Sequence, residues 1–392
     1  MATLSQVLSS ASNFVLSIAL ARSLSLAEFG QVSLALATAT LMIAFSRTTI
    51  GQVLILHPGG TRESAYLASQ FYFAGASVLA IAAVAAVTGG SAGFTISIAL
   101  GAGVALVVDG LRYVTISRGD WANAVVADAV WLCVTGVAVL AALLSRTTSA
   151  SLIVACWGAG AAASALVLAI LLHRNGTLPT PSSRGSVRWL SSSRSVVLPL
   201  VGESSLILLS GYAVNIAAAA LGGYSALGLL RSAQIIMTPV ATVVQAFTLV
   251  IAQSVLRQRS VNRSGLRQAA LLAMVLQGVL VCWTAILLVP GIGDLLLADS
   301  WEAILPLVGI VAFGQACANL TAATLSWTRA AVSTWHAFRF RLTAFWIDPA
   351  MVASAAALLG SPGPVIGTSL SQATQFLLAA AFAAALYGRR FR

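Results

Sequence analysis

Three polar side chains, Ser33, Thr40 and Arg47, recur at intervals of seven residues along a stretch that is otherwise mostly apolar. Seven residues is close to two helical turns, so on a helix the three share nearly one face. An Arg near the centre of a membrane-spanning helix costs about 2.5–3.5 kcal/mol on insertion scales, so it is expected to face a wet cavity or a partner. A shift of 198 residues carries the stripe onto Arg231, Thr238 and Gln245. Guanidinium groups flanked by hydroxyl and amide groups suit a phosphate, through bidentate, charge-assisted hydrogen bonds. Arg47 is expected a little inside the midplane of its span. Arg231 is expected toward the outer end of its own, where it either serves the cavity or snorkels to the interface.

Other polar groups in apolar stretches carry two readings each. Gln6, Ser10, Asn13 and Ser17 share a face of the first span, where they line the same cavity or hold helix to helix. Glu203, Asp128 and Asp348 fall in the inner halves of their spans. Each could relay protons, bind a coupling cation or neutralise Arg47. Asp109 and Arg112, three residues apart, are expected to form a structural ion pair. Pro239 and Pro349 are expected to kink their helices. Cys133, Cys156, Cys282 and Cys317 lack C-x-x-C spacing and read as packing residues. His57, His173 and His336 form no ligand cluster, so no metal and no cofactor is expected.

The elements that carry these groups must be membrane helices. Hydrophobic residues make up 59% of the 392 positions, charged residues 8%, and the mean hydropathy is +0.95. A soluble domain carries about 25% charged residues, and this chain could not cover a water-facing surface. The apolar runs are continuous rather than alternating, which favours a helical bundle over a barrel. Twelve spans are expected, near 4–21, 31–55, 64–88, 94–114, 121–144, 150–172, 196–220, 226–254, 267–289, 303–327, 340–360 and 363–387. The first reads as a retained helix rather than a signal peptide, since nothing charged precedes it.

The formal net charge is +11, every basic residue is Arg, and the chain has no Lys. With the N-terminus inside, 17 of the 21 arginines fall on the inner side. That asymmetry is the positive-inside bias, and it predicts cytoplasmic N- and C-termini in a bacterial inner membrane rather than nucleic-acid binding. The polar stretch His173–Ser195, rich in Pro, Gly, Ser and Arg, divides the spans six and six. The expected organisation is an N-terminal lobe over 1–172, a cytoplasmic linker over 173–195 and a C-terminal lobe over 196–392. The 198-residue shift also pairs Ile18 with Ile216, Gly30 with Gly228 and Ala35 with Ala233. An even number of spans per half predicts a parallel repeat, with a pseudo-two-fold axis along the membrane normal.

The opening stretch NFVLSIALARSLSLAEFGQVSLALA resembles the start of bacterial polysaccharide-transport proteins: an apolar helix ending Leu20-Ala21-Arg22, a short turn, then Phe29-Gly30 opening the second helix. These belong to the multidrug/oligosaccharidyl-lipid/polysaccharide exporter superfamily. The resemblance implies a flippase that carries polyprenyl-pyrophosphate-linked oligosaccharide from the inner to the outer leaflet by alternating access. It also implies a cationic cavity with Arg on the first two helices, a role that Arg22 and Arg47 match by position. Membrane lipids and glycan-assembly proteins such as a polymerase are the implied partners. The chain departs from that family in starting almost directly at its first helix, so a longer N-terminus is expected, and in having no Lys. Two rivals stay open: a cation-coupled drug or metabolite antiporter of the same fold, and a non-transporting scaffold of a glycan-assembly complex. Enzyme activity is not expected, because the longest outer connection, near Pro290 to Glu302, holds acids but no His or Arg.

Overall fold

Continuous apolar sequence leaves the backbone to satisfy its own hydrogen bonds, and in the computed structural model the regular elements among the described residues are all helices. The structure describes residues 2–51, 54, 60–145, 149–182, 194–258, 263–331 and 334–390. The first half comprises α1 (Ala2–Ser23), α2 (Leu26–Ser46, continued by a π-helical turn Arg47–Gly51), α3 (Gly60–Val87), α4 (Ala92–Ser117), α5 (Trp121–Leu144) and α6 (Ala150–Arg174). A long helical stretch, Arg194–Gln258, is broken at Gly223 into α7 (194–222) and α8 (224–258). After it come α9 (Arg263–Leu287), two short helices (Ile292–Leu297 and Ser300–Ile304), α10 (Val308–Ala331), α11 (Thr334–Ala344), α12 (Ile347–Leu359) and α13 (Gly363–Arg390).

Ten helical stretches among the described residues are long and apolar enough to cross a membrane. One of them, Ser204–Val244, is 41 residues long and contains the break at Gly223, which gives it length for two crossings, and α1 adds the shorter apolar stretch Val7–Ser23. The chain is a multi-pass α-helical membrane protein. Local sequence sets the helix starts: the side chains of Ser91, Asp120 and Ser149 cap α4, α5 and α6 by accepting from the amides of Phe94, Asn123 and Leu152.

The chain divides into two compact units. The first holds Met1–Leu24 and Gln31–Leu208; the second holds Ser25–Gly30 and Leu209–Arg392. Within the first unit α3 packs on α4, α4 on α6, α5 on α6, and α1 on α5. Small residues permit the tightest of these crossings. A Cβ on Gly158 of α6 would lie 3.1 Å from the Gly101 Cα of α4. The second unit repeats the order one half later, with α9 on α10, α10 on α13 and α12 on α13.

Inside the second unit, the start of α2 meets α8. A Cβ on Gly30 would lie 1.8 Å from the carbonyl oxygen of Tyr224, and one on Gly228 would lie 2.0 Å from the carbonyl oxygen of Leu26. The 198-residue shift takes Leu26 to Tyr224 and Gly30 to Gly228, so the two helices meet through equivalent residues in a reciprocal contact. Neither position accepts any side chain without moving a backbone.

Proline leaves its mark at Pro349. It cannot donate to Phe345, four residues earlier, and the helix breaks at Phe345–Trp346 between α11 and α12. The freed Phe345 carbonyl accepts from the Ser210 hydroxyl of α7 at 3.0 Å. At Pro239 the described backbone stays helical, and the nearby Ile236 carbonyl accepts from the Trp283 indole at 2.6 Å. Of the expected linker, residues 183–193 lie outside the described residues. Its beginning is tied to the first unit: the Ser182 amide donates to the Ser64 carbonyl at 3.0 Å, and Arg118 donates to the Thr177 carbonyl at 2.5 Å while pairing with Glu63.

Candidate functional site

Four charged side chains form a chain through the first unit. Arg47 stands at the junction of α2 with its π-turn. Thr48 bonds back to the Ala44 and Phe45 carbonyls at 3.1 Å, and Thr49 to that of Phe45 at 2.6 Å. Hydroxyls that occupy these carbonyls compete with the i→i−4 ladder, which is a physical reason for the helix to widen here. Gly51 closes the turn over the ring of Tyr113, where a Cβ would come within 2.8 Å.

The Arg47 guanidinium meets Asp109 of α4 in a bidentate pair, Nε to Oδ2 at 2.6 Å and Nη2 to Oδ1 at 2.9 Å. Its Nη2 also lies 3.4 Å from the Ser9 hydroxyl of α1. Arg112, one turn beyond Asp109, lies 3.5 Å from Asp109 Oδ1 and 3.1 Å from Asp128 Oδ2 of α5. The Ser5 hydroxyl of α1 accepts from Arg112 at 2.8 Å and donates to Asp128 Oδ2 at 2.5 Å. Side-chain exposure is 21% at Arg47 and drops to 2% at Asp109, 6% at Arg112 and 0% at Asp128, so the chain reaches solvent at its Arg47 end. The other carboxylate oxygen of Asp128, Oδ1, is buried and has no hydrogen-bond partner. Gln70 of α3 braces this region by accepting from Ser46 at 2.7 Å and donating to the Leu106 carbonyl at 2.7 Å.

The expected pair of Asp109 with Arg112 is present at 3.5 Å, but the closer, bidentate partner of Asp109 is Arg47. Asp128 reaches Arg112 instead. Paired charges withdrawn from water are tolerated only when both are hydrogen-bonded, and this chain meets that condition everywhere except at Asp128 Oδ1.

The other expected residues of the first half lie elsewhere. Asn13 is on an exposed face of α1, its Oδ1 accepting from the Trp157 indole at 3.2 Å. The α1 hydroxyls that touch the charges are Ser5 and Ser9, on the face next to the expected one. Thr40 is exposed and bonds back to the Leu36 carbonyl at 2.9 Å. Arg22 is exposed in the last turn of α1.

The second unit treats its charges differently. Arg231 of α8 donates to the Gln234 amide oxygen at 2.9 Å, and its Nε is buried without a partner. No carboxylate pairs with it among the described residues. Thr238, one turn beyond Gln234, bonds back to the Gln234 carbonyl at 3.1 Å. Asp348, at the start of α12, accepts from the Ser371 hydroxyl at 2.6 Å and the Gln375 amide at 2.7 Å, both on α13, and lies 3.4 Å from the Ser210 hydroxyl of α7. The Gln375 amide oxygen accepts in turn from Arg341 at 3.1 Å, so an amide bridges this carboxylate to Arg341. The side chains of Glu203 and Gln245 lie outside the described residues. Among the described residues, no three His, Cys, Asp or Glu side chains are grouped to hold a metal ion.

No protein-family model matches the chain, and no curated protein does. Solved structures do. The inward-facing conformation of a multidrug resistance MATE family transporter of the MOP superfamily superposes with a TM-score of 0.75 at 14% identity, covering 97% of this chain and 96% of that one. MATE in the straight conformation gives 0.65 at 13% identity, over 98% and 95% of the two chains. The outward-facing conformation of a multidrug resistance MATE family transporter gives 0.63 at 13%, over 98% and 94%. The fold is that of these transporters along nearly the whole chain.

Proposed function

We propose that this chain is a transporter of anionic amphiphiles, and specifically a flippase that moves polyprenyl-pyrophosphate-linked oligosaccharide from the inner to the outer leaflet. The observation that carries this reading is Arg231, a guanidinium in a spanning helix whose described partner is a neutral amide. A cation held in that state raises the cost of the folded protein, and a passing anion removes the cost. A pyrophosphate offers acceptor oxygens to a guanidinium, and its hydrated sugar head needs a wet path while the polyprenyl tail stays in lipid. Thr238, two turns beyond Arg231 on the same helix, is assigned to the same path, and Arg22 keeps the anion-binding role that the resemblance implies. Neighbours solved in inward- and outward-facing forms support alternating access as the means. The arginine asymmetry supports cytoplasmic termini in a bacterial inner membrane. Outward passage of a substrate with about two negative charges is favoured by the membrane potential, at about 2.3 kcal/mol per charge per 100 mV.

A second reading, a cation-coupled antiporter, has its own observation: Asp348 is held by hydroxyl and amide groups, a setting that suits a coupling proton or cation as well as a lone carboxylate. Proteoliposomes separate the two. The flippase reading expects protein-dependent transfer of a fluorescent polyprenyl-pyrophosphoryl sugar between leaflets and no efflux of a cationic dye. Dye efflux without lipid transfer would replace it with the antiporter.

A further inference from the structure

We propose that the Arg47–Asp109–Arg112–Asp128 chain is a proton-linked anion site, in which a proton on Asp128 frees one guanidinium charge for an anion at Arg47. The inference deepens the proposed function and rests on its anionic substrate. With both carboxylates ionised, two guanidinium charges and two carboxylate charges cancel, and nothing in the chain attracts an anion. With Asp128 neutral, Asp109 alone faces two cations, and one positive charge is uncompensated. That charge is available where the chain reaches solvent, at Arg47, whose side chain is 21% exposed while those of the other three are 6% or less.

Geometry selects Asp128 rather than Asp109 as the proton carrier. Both oxygens of Asp109 are occupied, by the bidentate Arg47 pair and by Arg112. Asp128 has one occupied oxygen, Oδ2, and one buried bare oxygen, Oδ1, to which a proton can add without breaking any contact. The groups facing it are few. Helix α1 brings the Ser5 hydroxyl, and α4 brings Arg112 with Asp109 behind it; Arg47 stands beyond Asp109. Helix α6 packs on α5 through the rings of Trp157 and Trp131. The Trp131 indole N–H, one turn along α5, is itself unpartnered and out of hydrogen-bond reach of Oδ1. Ser5 keeps its bond to Oδ2 in either state, so protonation changes the charge without rearranging the helices.

Linkage fixes the sign. If a proton on Asp128 strengthens anion binding, a bound anion strengthens proton binding by the same factor. Anion affinity is then full at low pH and falls as pH rises through the titration of Asp128. Proton and anion bind together rather than displacing each other.

The test is the affinity of the purified protein for inorganic pyrophosphate, measured against pH in wild type and in Asp128→Asn. Pyrophosphate titrates on its own, but equally for both proteins, so the ratio of their affinities isolates Asp128. The expected wild-type affinity falls relative to the variant by up to tenfold per pH unit above the titration, and the variant keeps the low-pH affinity. A ratio that stays constant with pH overturns the linkage and leaves the transport reading standing. Wild type that binds no pyrophosphate at any pH overturns both. Infrared difference spectra of wild type alone give a second reading that needs no variant: pyrophosphate should increase a protonated-carboxyl C=O band, and an unchanged band contradicts the proposal.

Discussion

The two halves answer the same problem, charge inside a membrane bundle, in opposite ways. In the first unit Arg47 and Arg112 are matched one for one by Asp109 and Asp128, with serine hydroxyls filling the gaps. In the second unit Arg231 has an amide, and Asp348 has two hydroxyls and an amide. An intramembrane charge is thus not informative by type alone; its partner decides what it can do. A matched cation holds helices together and binds an outside anion only if its carboxylate gives way. A cation with a neutral partner is open to ligand from the start.

That contrast can be broken from either side. The largest effect is expected at Asp109→Asn, which strips Arg47 of its bidentate partner and leaves Arg112 with Asp128 alone. Loss of one member of a buried pair costs about 3–5 kcal/mol, so the melting temperature in detergent should drop sharply. A variant as stable as wild type would mean that the chain of charges contributes little to the fold. Next is Gln234→Glu, which gives Arg231 a carboxylate three residues along its own helix and makes the second half resemble the first. Pyrophosphate affinity should fall by about tenfold, equivalent to about 1.4 kcal/mol, with no loss of stability. Unchanged affinity would show that Arg231 does not meet the anion. The smallest effect is expected at Ser371→Ala, which removes one of three neutral donors from Asp348. A single such hydrogen bond contributes about 0.5–1.5 kcal/mol, and a thermal shift several times larger would point to a cation held there by the hydroxyl.

Much of the architecture was legible because composition and periodicity are local. Apolar runs and caps such as Ser91 and Asp120 require no knowledge of neighbours. The 198-residue shift that pairs Gly30 with Gly228 identifies two residues that meet in space. The site was harder to read, for reasons visible at particular positions. Asp109 lies three residues from Arg112 but 62 from Arg47, and it is the distant arginine that takes it bidentately. Sequence spacing ranks local partners first and carries no information on which helix lies alongside. On α1, serines fall on adjacent faces, so period alone did not separate Ser5 and Ser9 from Ser10, Asn13 and Ser17. Pro349 announced a kink, but not that Ser210 would supply the hydroxyl for the freed carbonyl. Sequence separates Arg47 from Arg231 by depth alone; their different partners, a carboxylate for one and an amide for the other, appear only in three dimensions.

The most direct measurement is the rate at which proteoliposomes containing Arg231→Gln transfer a polyprenyl-pyrophosphoryl sugar between leaflets, read beside the variant's melting temperature. Glutamine keeps a shorter polar side chain next to Gln234 and removes the guanidinium with its charge, so the account predicts a melting temperature at or above wild type and loss of at least about nine-tenths of the transfer rate, about 1.4 kcal/mol in the barrier. Transfer at the wild-type rate by a normally folded variant would contradict it.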